Sequence, residues 1–135
     1  MLKRDITYED FDGESVTETF YFNLTKTELI ELEVEHQEGL EATLRRIIRT
    51  KNNKQLIAEF KKLVLMAYGI RSEDGKRFIK NDELREEFAQ TAAYDSLFME
   101  LATNDDSAAT FIKGIVPKDF QKELEKTDVP ALVKE

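Results

Sequence analysis

Two glycines, a run of charged residues and a short apolar pair lie together at residues 68–83, in the stretch YGIRSEDGKRFIKNDE. Loops of this kind hold calcium or phosphate in many proteins. A calcium loop with Gly75 at its sixth position would place Ile70 first and Asn81 twelfth, where an oxygen ligand and a bidentate glutamate are required. A phosphate loop requires a different glycine spacing and a hydroxyl residue after Lys76, where this sequence has arginine. We therefore interpret the stretch as a turn between helices.

The sequence gives equally little support for a metal site, a catalytic thiol or an acid–base pair. His36 is the single histidine and the chain has no cysteine, which argues against a paired-histidine metal site, a thiolate and a histidine-activated serine. The close carboxylate pairs Asp105-Asp106 and Glu86-Glu87 do not lie in an apolar segment of the kind that makes a carboxyl group a proton donor at neutral pH. We expect no enzymatic activity, no metal and no cofactor.

The net charge of −8 is distributed in three blocks. Residues 1–38 carry three basic and eleven acidic side chains, residues 39–80 carry eleven and four, and residues 81–135 carry six and thirteen. The middle block holds the strongest candidate for a nucleic-acid interface, formed by Arg45, Arg46, Arg49, Lys51, Lys54, Lys61 and Lys62. The overall acidity and the acidic blocks on both sides disfavour nucleic acid and favour solvated faces that complement one another within the molecule.

Apolar residues alternate with polar ones in the N-terminal segment, and this pattern predicts a β-hairpin over residues 1–24. Asp12-Gly13 marks its turn. A two-residue loop would put Tyr8 on the face opposite Val16. A three-residue loop with Gly13 in the left-handed conformation pairs these two residues and brings all even-numbered apolar residues to one face, so we predict the three-residue loop.

Helical periodicity dominates the rest of the chain. The first predicted helix begins after Thr25 or Thr27, and two more cover residues 40–50 and 56–68, the latter with Gly69 as its C-terminal cap. Three further helices begin after Asn81 or Asp82, after Thr91 and at Asn104–Ser107. The last of them ends before Pro117. No run approaches the roughly 20 apolar residues that span a bilayer, so no membrane partner is expected.

The expected fold is therefore mainly α, a compact multi-helix domain with an N-terminal β-hairpin as its minor β component. We divide it into the hairpin at 1–24, which packs on a helical domain at 25–117, and a charged C-terminal helix or tail at 118–135.

Three runs in the second half of the chain form a recognisable pattern of apolar and aromatic residues: YGIRSEDGKRFIK, EFAQTAAYDSLFMELAT and AATFIKGIVP. Together they resemble the tail assembly chaperones of long-tailed bacteriophages that infect Gram-positive hosts, over residues 68–117. The resemblance implies a small, mostly helical, non-catalytic protein that binds the tape measure protein, keeps it soluble and helps to recruit tail tube subunits. It also implies a location in the host cytoplasm, absence from the mature virion and, in many members, a longer form made by ribosomal frameshifting.

Within these runs and the C-terminal segment, candidate partner-binding residues are Tyr94, Phe98, Leu101, Phe111, Ile112, Ile115, Phe120 and Leu124. Their spacing also fits a helical core, and for most of those between Tyr94 and Ile115 the core is the better interpretation. Self-association is a further expectation. Two other functions remain as alternatives, a structural head–tail connector or completion protein of a phage and a small nucleic-acid-binding regulator.

Overall fold

The structure is a computed structural model that describes residues 1–35 and 54–119. In these ranges the elements follow one another as β1 (Leu2–Glu9), β2 (Ser15–Phe22), α1 (Lys26–Glu35), α2 (Lys54–Ala67), β3 (Tyr68–Arg71), β4 (Phe78–Ile79), α3 (Asp82–Ala89), α4 (Ala92–Thr103) and α5 (Asp105–Ile115). The strands form one antiparallel sheet in the order β1-β2-β3-β4. The expectation of a mainly α fold is therefore wrong, because the fold is mixed α+β.

The error lies at the end of α2. The helical pattern was expected to run through Tyr68, but α2 ends at Ala67 and Tyr68 is the first residue of β3, where it pairs with Phe22 of β2. The N–H of Asn23 donates to the carbonyl of Ala67 (2.8 Å), which continues the pairing between the two segments. Because no loop separates helix from strand, the apolar spacing of the helix hides the change of conformation.

Gly69 is part of β3 and does not cap a helix. It pairs with Tyr21 of β2, and its φ is not positive. A Cβ atom added at Gly69 would lie 2.8 Å from the ring of Phe78 and 2.9 Å from the carbonyl oxygen of Ile79. Glycine therefore allows β4 to approach β3 closely, which is a packing requirement that the sequence pattern did not reveal.

The register predicted for the N-terminal hairpin is confirmed. Tyr8 pairs with Val16, the N–H of Asp10 donates to the carbonyl of Glu14 (2.8 Å), and Gly13 has a φ of 85°. The three-residue loop is thus present with glycine in the left-handed conformation. Five even-numbered apolar residues of the two strands consequently pack on the core from one face of the hairpin: Leu2, Ile6, Tyr8, Phe20 and Phe22.

Most of the predicted helix starts are also confirmed. Thr25 and Glu28 exchange hydrogen bonds at the start of α1, where the Thr25 hydroxyl accepts from the N–H of Glu28 (3.1 Å) and the Glu28 carboxylate accepts from the N–H of Thr25 (2.9 Å). The side chains of Asn81, Thr91 and Asn104 cap α3, α4 and α5. The helix expected at 40–50 lies outside the described residues.

One buried cluster joins the sheet to all five described helices. Its members are Ile6, Phe22, Leu24, Leu29, Leu32, Phe60, Leu63, Val64, Ala67, Phe88, Ala93, Tyr94, Leu97, Leu101, Ala108, Phe111, Ile112, Ile115 and Val116. Aromatic rings run through its middle, since Phe22 contacts both Phe88 (5.8 Å between ring centroids) and Phe111 (5.2 Å). The hairpin therefore contributes directly to the core, while the division of the chain at residues 24 and 117 stays a prediction.

Candidate protein-binding surfaces

The candidate partner-binding residues lie mostly inside the molecule. Tyr94 is 8% exposed, and four others are fully buried: Leu101, Phe111, Ile112 and Ile115. Phe98 is half-buried, with its ring between those of Phe60 and Tyr94 at 5.9 Å from each. Phe120 and Leu124 lie outside the described residues. In the native fold the buried members would contact a partner only if the core opened, and their role in binding stays a prediction.

Burial shapes the chemistry of Tyr94. Its hydroxyl has no hydrogen-bond partner among the described residues, and burial, with a smaller effect from Asp95, raises the pKa of Tyr94 to about 12. The phenol therefore stays neutral throughout the physiological range. This residue contributes mainly ring contacts, to Phe88 (5.5 Å) as well as to Phe98.

The charged stretch at 68–83 forms the β3–β4 hairpin, so it is a turn between strands and not between helices. Ser72 and Arg77 close the turn (2.9 Å between Ser72 N and Arg77 O), and Gly75 adopts a φ of 73°. The Asp74 carboxylate accepts from the Ser72 hydroxyl (2.6 Å) and from the N–H of Lys76 (3.0 Å), which lowers the pKa of Asp74. The Asp74 carboxylate thus stabilises the turn itself.

A largely buried ion pair lies where β4 leads into α3. The Lys80 ammonium group donates to both carboxylate oxygens of Glu28 (2.9 and 2.8 Å) and to the carbonyl of Asn23 (2.6 Å). Burial alone raises the pKa of Glu28, but the hydrogen bonds from Lys80 and Thr25 together outweigh it and hold that pKa below its ordinary value. The pair connects the start of α1 to the far edge of the sheet.

No cluster suited to a metal is found where the structure describes the chain, since no three acidic, histidine or cysteine side chains meet there. In the same ranges, every helix is too short or too polar to cross a bilayer.

An open groove of about 380 Å³ lies between α2 and α3. Its floor is formed by Ala58, Leu65 and Met66, and its walls by the side chains of Lys61, Lys62 and Arg85. The Arg85 guanidinium donates to the carbonyl of Leu65 (3.3 Å), which holds this wall in place. The groove therefore combines an apolar floor with a basic rim. Sequence reasoning missed it, although Leu65 and Met66 are apolar residues outside the buried stripe of α2.

The tip of the β1–β2 hairpin is the second candidate surface. Phe11 is 85% exposed there. The predicted three-residue loop already contained this residue, so a signal for its exposure was present in the sequence. The Asp10 carboxylate accepts from the N–H groups of Asp12 (3.0 Å) and Glu14 (2.9 Å), and these contacts fix the loop that carries the phenylalanine.

A family model described as phage tail assembly chaperone matches residues 1–134. The chain belongs to this family. Searches of curated proteins and of solved structures found no match. The match confirms the resemblance seen at 68–117 and extends it to the hairpin and the basic block. The family is typically non-catalytic, and the role of a tail assembly chaperone implies phage tail proteins as partners.

Exposed apolar surface marks candidate contact sites for protein partners. Besides Phe11, four large apolar residues are exposed within the described ranges: Met1, Ile30, Ile70 and Met99. They are spread over β1, α1, β3 and α4 or lie beside them. The groove and the hairpin tip differ from these single residues because each combines apolar surface with charge of one sign.

Proposed function

We propose that this chaperone binds the tape measure protein, keeps it soluble while the tail is built, and helps to recruit tail tube subunits around it. The match to the family over residues 1–134 carries the proposal. Its place of action is the host cytoplasm, and it leaves before the virion is complete.

The groove between α2 and α3 is the surface proposed for the client. A tape measure protein is a long helical chain, and an amphipathic helix binds by laying its apolar face into a groove of this kind. Leu65 and Met66 offer the apolar floor, and the basic side chains on the rim, such as Lys61, suit a helix with acidic residues beside its apolar face.

The charge of the chain supports the same role. A net charge of −8 on 135 residues disfavours aggregation, so a chaperone that exposes apolar surface can remain dissolved and can keep its client dissolved. A protein that binds its client without catalysing a reaction needs only exposed apolar surface and enough charge to stay dissolved.

Co-expression tests the proposal. The chaperone and the tape measure protein of the same phage genome are produced together, and the soluble fraction of the tape measure protein is compared with that obtained when it is produced alone. We expect a soluble complex, and equal solubility without the chaperone would contradict the proposal.

Two methionine variants locate the client site. Met66→Glu places a charge in the floor of the groove, while Met99→Glu places the same charge at an exposed methionine of α4. We expect Met66→Glu to lower recovery of the complex at least about tenfold and Met99→Glu to leave it unchanged. Equal effects of the two variants would place the client elsewhere.

Mass spectrometry of purified virions separates a chaperone from a structural head–tail connector. We expect no stoichiometric amount of this chain in the particles, whereas a connector would be present at a fixed number of copies.

A further inference from the structure

The hairpin tip and the groove have opposite chemical characters. The exposed ring of Phe11 is surrounded in the chain by four carboxylates, those of Glu9, Asp10, Asp12 and Glu14. The groove presents an apolar floor within a rim of three basic side chains. The tip and the groove are therefore complementary: the tip offers an apolar side chain among negative charges, and the groove offers an apolar depression among positive charges.

The tip is held in a form ready for binding. Gly13 closes the turn with an N–H bond to the carbonyl of Asp10 (3.0 Å), in addition to the two bonds that the Asp10 carboxylate accepts. Little conformational entropy is therefore lost when the loop binds, and a rigid aromatic residue on such a loop is a typical hot spot.

The tip also lies at the end of the hairpin that pairs least with the rest of the sheet. β2 has eight residues, and only Tyr21 and Phe22 pair with β3. Tyr8 and Phe20 still pack against the core, while the residues beyond them at the tip, Phe11 to Ser15, are exposed. An exposed tip of this kind can contact the surface of another molecule.

We propose that the hairpin tip of one copy of this chain docks in the groove of a second copy, with Phe11 on the apolar floor and the acidic residues of the tip facing Lys61, Lys62 and Arg85. The contact joins two different surfaces, so an open assembly has one free tip at one end and one free groove at the other. Such a contact propagates into a chain of copies or closes into a ring.

The docked tip occupies the groove proposed for the tape measure protein. Self-association and client binding then exclude each other, a consequence that rests on the proposed function. The docking itself does not rest on it, because it can be measured with the purified chaperone alone.

Sedimentation velocity of the full chain over a range of concentrations tests the docking. At low salt we expect species larger than a dimer to increase with concentration, and we expect added salt to dissociate them because the rim contacts are electrostatic. A chain that stays monomeric up to about 0.5 mM at low salt would overturn the proposal.

Two variants, each defective in one surface, provide the decisive measurement. Phe11→Ala removes the anchor and keeps the groove, while Met66→Glu blocks the groove and keeps the tip. We expect each alone to associate at least about tenfold more weakly than the unaltered chain. Mixed together, they should form a one-to-one complex that grows no further, because only one intact tip and one intact groove remain.

Further variants separate the outcomes. Lys61→Glu, at an exposed position, is a second groove variant for the case in which Met66→Glu disturbs folding, and Ile30→Ala and Met99→Glu are controls at exposed apolar positions outside both surfaces. Association that survives Phe11→Ala and Lys61→Glu would overturn the proposal. A monomeric chaperone whose client complex is still lost with Met66→Glu would overturn the docking and support the proposed function.

Discussion

The rings of Tyr68 and Phe88 stack face to face, with centroids 4.2 Å apart and planes inclined by 10°. Tyr68 is the first residue of β3, and Phe88 lies in the last turn of α3. Phe88 also contacts the rings of Phe20 (5.3 Å) and Phe22 (5.8 Å) of β2. These contacts join α3 to the two central strands of the sheet, at the point where sequence reasoning had expected a helix to continue.

Loss of the Phe88 ring should strongly destabilise the protein. The side chain is 2% exposed, so Phe88→Ala leaves a large cavity among aromatic rings. We expect the free energy of unfolding to fall by about 3–5 kcal/mol, measured by urea denaturation. Phe11→Ala serves as the control and should change it by no more than about 0.5 kcal/mol. Similar losses in both variants would contradict the packing of α3 described above.

The two glycines Gly69 and Gly114 should respond differently to alanine. At Gly69 the new methyl group would meet a ring and a carbonyl oxygen within 2.9 Å, and β4 would have to move. We expect Gly69→Ala to cost about 1–3 kcal/mol. At Gly114 the methyl group meets the flexible end of Leu2 at 3.0 Å, and alanine gains about 1 kcal/mol in helix propensity. Gly114→Ala should therefore be close to neutral, and thermal or urea unfolding of both variants checks the order.

The Glu28–Lys80 pair should make the fold sensitive to acid. The pKa of Glu28 lies below its ordinary value near 4.5, so the folded state binds this proton more weakly than the unfolded state does. The stability that the pair contributes is present in full above pH 4.5 and is lost as the pH falls through the pKa of the folded state. We expect Glu28→Gln to cost about 1–3 kcal/mol at neutral pH and progressively less as the pH falls through the pKa of the folded state.

Urea denaturation of Glu28→Gln at several pH values measures this difference. Asp82→Asn is the matched control, because the Asp82 carboxylate pairs with Arg85 (3.3 Å) while remaining fully exposed to solvent. Its effect should stay within about 0.5 kcal/mol at every pH. A cost of Glu28→Gln that does not depend on pH would mean that the ionised carboxylate is not what stabilises this junction.

Gly13 should tolerate asparagine better than alanine. Its φ of 85° lies in the left-handed region, where asparagine is accepted more readily than other residues with a side chain. We expect Gly13→Ala to cost about 1 kcal/mol or more and Gly13→Asn to cost less, measured by urea denaturation. Equal costs would argue against the loop conformation that presents Phe11.

Local signals were enough to predict the hairpin and the helix starts. The parity of Tyr8 and Val16 around a glycine decides between two loop lengths, and both the pairing and the positive φ of Gly13 follow from that parity. Side-chain caps such as Thr91 and Asn104 are equally local, because the bond that they make reaches only three residues along the chain.

The second half of the sheet could not be predicted in this way. β3 and β4 are four and two residues long, too short for an alternating pattern, and they are strands because Tyr68 and Gly69 meet β2 from a distant part of the chain. For a related reason, the sequence could not show which of the candidate partner-binding residues are buried and which are exposed. Residues such as Leu101 and Ile112 carry the family pattern, but only the packing of α4 and α5 shows that they are buried.

The partial pairing of β2 has a consequence for how this protein can change. The residues at the tip, Phe11 to Ser15, are exposed and do not pair with β3, so substitutions of their side chains cost the core little. If the tip docks as proposed, its recognition can therefore change one residue at a time without loss of the fold. The same freedom makes the tip a practical place for inserting a tag or an epitope.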